Sequence, residues 1–186
     1  MHIRESLEKN PFYLLQVSCF DDRRAIMDAA DEMSFSLDQN VCIDAQNALL
    51  SLNRRLSAEL EWFPVADRQK CRKMAECIQN RRPLPSDWQN ALCQLNAEIY
   101  NYSLVPALET DPDEHIEKIE MIAQLFALLD PVETADMINQ SRKAAKMGET
   151  DPDQVAEGIN ELRTGIRKEI SGKLAELDEI KYVQII

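Results

Sequence analysis

Apolar residues recur along the chain at every third or fourth position, which is the spacing of one face of an α-helix. The first such stripe consists of Ile26, Ala30, Met33 and Leu37. A second stripe extends from Cys42 to Phe63, and Pro64 ends it because proline cannot continue a helix. Since the polar Asn53 lies within this stripe, the pattern predicts either one long helix or two helices with a bend.

Two further stripes follow before Pro106. The shorter one consists of Cys71, Met74 and Ile78 and stops before Pro83. The longer one consists of Trp88, Leu92, Leu95, Ile99 and Tyr102. Ser86 precedes the longer stripe and is predicted to cap its helix, because a serine hydroxyl accepts a hydrogen bond from the first turn. We expect Trp62, Phe63 and Trp88 to anchor the core, since they are among the largest apolar side chains.

Beyond Pro106 the same dipeptide marks three helix starts, at Asp111-Pro112, Asp130-Pro131 and Asp151-Pro152. The aspartate accepts hydrogen bonds from the first turn, and proline is tolerated where its missing N–H would have no partner. The last predicted helix is the longest, roughly Asp153 to Tyr182. Its stripe advances about 3.7 residues per step, more than the 3.5 of a left-handed coiled coil, so we expect it to pack on the domain.

The glycine content supports helices throughout. The chain has four glycines in 186 residues, and all of them lie at or beyond Gly148. Because sheets need glycine at primed turns and bulges, the composition indicates an all-α fold, a multi-helix bundle with a long C-terminal helix. We divide it into a unit of residues 1–64, a helical extension of 65–106 and a C-terminal unit of 107–186.

Two features of the C-terminal unit suggest contact with another surface. Gly158, Gly165 and Gly172 recur every seven residues in the last predicted helix. Each costs about 1 kcal/mol relative to alanine, which a close approach of another helix would offset; a weakly specified helix is the alternative. The chain ends in Ile185 and Ile186, which we expect to dock on the body or on a partner unless the natural chain continues.

The charge of the chain is acidic, with one basic stretch. A net charge of −12 argues against nucleic-acid binding, which requires a basic footprint. The basic stretch consists of Arg68, Lys70, Arg72, Lys73, Arg81 and Arg82. Its side chains either meet an acidic partner or are solvated and paired with acidic residues of the chain itself.

The cysteines and the N-terminal residues predict a cytoplasmic protein. Five cysteines, an odd number without a CxxC pair, are typical of reduced thiols. The first ten residues are polar and have no apolar signal-peptide core. No apolar run approaches the length of a membrane span, so we expect no membrane partner.

Candidate chemistry is sparse. Nucleotide-binding, serine-hydrolase and zincin motifs do not occur in the sequence. Of the two histidines, His115 lies near four acidic residues that would suit a metal site: Asp111, Asp113, Glu114 and Glu117. We favour an exposed histidine in a solvated first turn. The sequence therefore predicts no catalytic residue, no metal ligand and no cofactor.

Residues 10–63 resemble the J domain, the helical module of DnaJ-type co-chaperones. Residues 10–17 (NPFYLLQV) resemble its opening, residues 21–26 (DDRRAI) the start of its helix II, and residues 44–56 its helix III with the following basic pair. The resemblance implies a helical hairpin near the N-terminus. The His-Pro-Asp tripeptide of the family is missing, because residues 33–41 (MSFSLDQNV) contain neither His nor Pro.

This departure bears on function. Helix II of the family is usually basic, whereas Asp28, Asp31 and Glu32 make the corresponding face acidic. The resemblance therefore implies a fold without stimulation of a chaperone ATPase. We expect a non-enzymatic interaction or scaffold module that binds a protein partner or self-associates through its C-terminal helix. The alternative is a chaperone-associated regulator that uses the J-like unit.

Overall fold

The computed structural model describes the backbone of residues 7–106 and 112–183, and the side chains of 7–106 and 113–175. Within these ranges the chain is built of helices without a strand, which confirms the all-α fold class. The helices are α1 Pro11–Leu14, α2 Arg23–Met33, α3 Gln39–Leu50, α4 Leu52–Leu60, α5 Arg68–Gln79, α6 Ala91–Leu104, α7 Pro112–Ala127, α8 Pro131–Ala144 and α9 Pro152–Val183. The long C-terminal helix is thus α9, of 32 residues.

Side-chain caps fix the beginnings of the later helices as predicted. Asp130 accepts hydrogen bonds from the amides of Val132 and Glu133, with Pro131 in the first turn of α8. The carboxylate of Asp151 accepts from the amide of Gln154 in α9 at 2.9 Å. Helix α7 begins at Pro112, and Asp111 lies outside the described residues.

The helix that contains Tyr102 begins later than Ser86 predicts. Asn90 caps α6 by accepting a hydrogen bond from the amide of Cys93. The reason is tertiary: the amide side chain of Asn101 bonds both the N–H and the C=O of Leu84, and it donates to the hydroxyl of Ser86. These bonds hold residues 84–86 in a loop on the surface of α6.

The second predicted stripe forms two helices rather than one. Ser51 adopts an extended conformation, with φ −92° and ψ 127°, between α3 and α4. The buried face of α4 includes Leu56 and Leu60 and packs against the C-terminal helices.

The largest hydrophobic cluster joins α1 to α6 around Trp62 and Phe63, both fully buried. The prediction that these two aromatic residues are core anchors is confirmed. Their rings continue outward, because Phe63 stacks on Trp88 with centroids 5.2 Å apart. Trp88 itself is only half-buried and lies at the surface end of this aromatic row.

Two smaller clusters combine residues from both sides of Pro106. In one of them Leu95, Ile99 and Tyr102 of α6 pack against α7 and α9. In the other, Leu56 and Leu60 of α4 pack against α8 and the first half of α9. The N-terminal helices therefore share apolar clusters with the C-terminal helices. The division of the chain into three units stays a prediction.

A buried ionic network connects the same parts of the molecule. The Glu59 carboxylate accepts hydrogen bonds from Arg55 Nε at 2.7 Å and from Arg142 Nε at 2.9 Å, and all three side chains are at most 1% exposed. The guanidinium of Arg55 also donates to the carbonyl of Cys19, and that of Arg142 donates to the carbonyl of Gly148. The network thus ties α4 to α8 and to two loops.

This network separates Arg54 from Arg55, the two arginines whose resemblance to the J-domain basic pair stays a prediction. Arg54 is exposed and bonds Asp44 at 3.0 Å, whereas Arg55 is buried beneath the ring of Phe12. One member of the pair is therefore a surface charge, and the other is part of the core.

Candidate interaction groove

A groove opens between α5 and the loop that precedes α6, with a volume of about 580 Å³. Helix α5 and the residues before it contribute Val65, Lys70, Lys73, Met74 and Cys77 to its lining. The loop contributes Pro85, Asp87, Trp88, Gln89 and Asn90. Its volume and its mostly apolar lining with a few polar groups are typical of ligand-binding pockets.

The helical period places the α5 side chains on one face. Lys70, Lys73 and Cys77 follow one another at three and four residues, so they project toward the same side of the helix. Asp67 caps α5 by accepting a hydrogen bond from the amide of Lys70 at 2.8 Å. Met74 is buried behind the lysines, and Cys77 is half-buried.

Trp88 forms the opposite wall in a fixed position. One ring face stacks on Phe63 at an interplanar angle of 27°, and Nε1 donates to the carbonyl of Pro85 at 3.0 Å. The ammonium group of Lys70 lies 5.9 Å from the Trp88 ring centroid. Because the indole N–H already has a partner, the groove presents the apolar ring without an unmet polar group.

The structure distributes the predicted basic residues over three places. Arg68 and Arg72 face a smaller cleft beside α2, and Arg68 bonds both carboxylate oxygens of Asp21, at 2.8 and 3.3 Å. Lys73 lines the groove, and the exposed Arg81 and Arg82 follow the end of α5.

Most of these residues form no direct ion pair with another described residue. Within the described part of the chain, no ion pair includes any of Lys70, Arg72, Lys73, Arg81 or Arg82. Of the basic stretch, only Arg68 is therefore paired with an acidic residue of the described chain. The sequence identified Lys73 as a candidate but gave no indication of Trp88 as a groove wall, because its position depends on Phe63 and Pro85.

The three glycines of α9 are not equivalent. A Cβ atom on Gly158 would clash with Cδ1 of Leu60 in α4, whereas nothing lies within 4 Å of the corresponding position at Gly165 or Gly172. A close helix approach therefore exists at Gly158, and it is made by α4 of the same chain. Ile185 and Ile186 lie outside the described residues.

Alanine substitutions should separate the glycines. Gly165→Ala and Gly172→Ala are expected to stabilise the protein by roughly 0.5–1 kcal/mol each, because alanine has the higher helix propensity and its Cβ would meet no neighbour. Gly158→Ala should instead destabilise it by about 1 kcal/mol, since the packed Leu60 must move. Urea unfolding of the three variants measures these changes, and equal effects at all three positions would contradict the close approach.

His115 differs from its sequence prediction. We expected an exposed side chain, but the imidazole is only 2% exposed and packs edge-on against the Tyr102 ring, with centroids 5.8 Å apart. Neither ring nitrogen has a hydrogen-bond partner within the described residues. The cause is the packing of α7 on α6, which turns the first turn of α7 inward.

The protonation of His115 should therefore weaken the fold. Burial lowers the pKa of His115 below its ordinary value near 6.5, and the nearby Lys173 ammonium group lowers it further. Glu114 opposes this shift without cancelling it. The unfolded chain then binds a proton more readily, so stability is fully present above pH 6.5 and falls as the pH decreases below it. Urea midpoints at pH 7.5 and 5.5 should differ more for the wild type than for His115→Phe.

Two of the buried cysteines offer little reactivity. Burial raises the pKa of Cys71 and that of Cys93 to about 12, so both remain protonated at neutral pH. No three His, Cys, Asp or Glu side chains are grouped as metal ligands in the part of the chain that the structure describes. Among the same residues, no helix is both long and apolar enough to cross a membrane.

The fold and the groove define this protein as a helical bundle with a basic-rimmed surface groove. No family model, no curated protein and no solved structure matches the chain. The resemblance of residues 10–63 to a J domain accordingly stays a prediction.

Proposed function

We propose that this protein is a non-enzymatic interaction module that binds a segment of a partner protein in the groove beside α5. The observation that supports the proposal is a pair of lysines, Lys70 and Lys73, that line a mostly apolar groove and form no ion pair within the described residues, on a protein of net charge −12. Charges left unpaired in this way raise the rate of encounter with an oppositely charged partner and set its orientation.

The construction of the groove also favours binding of a segment. Its Trp88 wall is held by Phe63 and Pro85, so little side-chain entropy is lost when a ligand contacts the ring. Aromatic residues with an apolar face are frequent anchors of protein interfaces.

A peptide-display selection on the full chain tests the proposal. We expect the wild type to enrich peptides that no longer bind the double variant Lys70→Glu/Lys73→Glu. Arg167→Glu/Lys168→Glu is the matched control, because these exposed cations lie on α9 away from the groove lining. If no peptide is enriched, or if the enriched peptides bind the two double variants equally, the proposal is wrong.

Self-association through the C-terminal helix is a separate proposal. The open space beside Gly165 and Gly172 supports it, since a second helix can approach closely at glycine. Size-exclusion chromatography with light scattering tests it, and a monomer at all concentrations would contradict it.

A further inference from the structure

The two walls of the groove differ in chemistry, and this difference indicates what it binds. We propose that the occupant is a short acidic segment of a partner protein. Its apolar side chain contacts Trp88 and Met74, and an adjacent carboxylate lies between the ammonium groups of Lys70 and Lys73. This inference rests on the proposed function and specifies the chemistry of the partner.

Trp88 and Met74 in the groove lining indicate the apolar part of the segment. The Trp88 ring stacks on Phe63, has the Lys70 ammonium group 5.9 Å from its centroid, and lines the groove together with Met74. Methionine adapts its shape to different apolar side chains, and an aromatic ring offers a large rigid contact. These two residues can accommodate one aliphatic or aromatic side chain of the ligand without a hydrogen bond from it.

The acidic part is indicated by the distribution of charge. Lys70 and Lys73 lie one helical turn apart in the groove lining and belong to no ion pair within the described residues. Asp87 stands on the opposite wall of the groove. Its carboxylate repels a second carboxylate, so it directs the acidic residue of the ligand toward α5 and gives the segment an orientation.

The basic residues beyond the groove favour a peptide segment over a small carboxylic acid. Arg81 and Arg82 follow Asn80, the C-cap of α5, but do not line the groove, and both are exposed. A small molecule confined to the groove would contact neither arginine, because neither lines it. A peptide is long enough to place further acidic residues near the end of α5.

Titration of the isotopically labelled full chain with defined peptides tests this inference. The probe is a capped octapeptide with one leucine flanked by glutamates on a glycine-serine background, and its counterpart has glutamine at each glutamate. We expect the acidic peptide to shift the Trp88 indole N–H and the Met74 methyl resonances and to bind about tenfold more tightly than the glutamine peptide. Raising the salt concentration should weaken the binding.

Charge reversal on the protein completes the test. Lys73→Glu should weaken the binding of the acidic peptide about tenfold, and Lys73→Gln should weaken it less. Lys168→Glu should leave the binding unchanged, because Lys168 is exposed on α9 and does not line the groove. Thermal unfolding of each variant verifies that these exposed substitutions preserve the fold.

Three results of the titrations would overturn the inference. They are equal affinity for the acidic and glutamine peptides, equal weakening by Lys73→Glu and Lys168→Glu, and binding of phenylacetate as tight as that of the acidic peptide. Display selection separates this inference from the proposed function. If the selection enriches neutral or basic peptides whose binding depends on the groove, the proposed function stands and only the acidic character of the segment is overturned. If it enriches no peptide, the proposed function itself is overturned.

Discussion

Replacing Glu59 by glutamine is expected to lower the free energy of unfolding by about 3–5 kcal/mol. The substitution keeps the shape of the side chain but removes the only carboxylate that contacts Arg55 and Arg142 among the described residues. Arg55 and Arg142 are each 1% exposed, so water cannot solvate their charges once the carboxylate is removed. Breaking a buried ion pair from one side is costly because it leaves an uncompensated charge in the core.

Urea unfolding monitored by circular dichroism measures this effect. The control is Glu157→Gln, which removes the same charge from an exposed position of α9 and should change stability by less than about 0.5 kcal/mol. A Glu59→Gln variant as stable as the control would show that the network contributes little. Since Arg142 and Glu59 are 83 residues apart in sequence, we also expect N-terminal and C-terminal helices to lose structure in one transition.

Replacing Asn96 by aspartate is the second substitution with a large expected effect. The amide nitrogen of Asn96, in α6, donates to the carbonyls of Leu60 and Trp62 at 2.9 and 2.6 Å, and the residue is 4% exposed. Aspartate puts an acceptor oxygen where this donor stood, facing two carbonyl oxygens. We expect a loss of about 3 kcal/mol or more at neutral pH, from two broken hydrogen bonds and a buried charge.

The pH dependence of this loss identifies its cause. A protonated aspartic acid is neutral and can donate one hydrogen bond, so the Asn96→Asp variant should lose less stability at pH 4.5 than at pH 7.5, each measured against the wild type. Asn160→Asp is the control, because Asn160 is exposed on α9. An equal loss at both pH values would contradict the ionised carboxylate as a cause of the loss.

Local patterns predicted much of the helical architecture. The Asp130 and Asp151 starts and the long last helix were predicted from caps and apolar spacing, because these interactions lie within a few residues of one another. The beginning of α6 was predicted wrongly. Ser86 has the side chain of a good cap, but Asn101, fifteen residues later, holds it in a loop.

The candidate site was predicted only in part. The sequence identified Lys73, Arg81 and Arg82 as a basic stretch, but the pairing of Arg68 with Asp21 depends on a contact over 47 residues. The burial of His115 likewise depends on the packing of α7 against Tyr102. Hydrophobic spacing does not reveal such contacts, since a polar residue in a first helical turn is exposed unless another helix covers it.

The sequence by itself determined that this protein is helical and where many of its helices begin and end. These features follow from capping, proline placement and apolar periodicity, which act between neighbouring residues. Only the tertiary structure decided which charge lies in the core, which glycine touches another helix and which basic residues remain unpaired beside a groove. The physical reason is that Arg55, Gly158 and Lys73 take their environment from other helices, and those helices are distant in sequence.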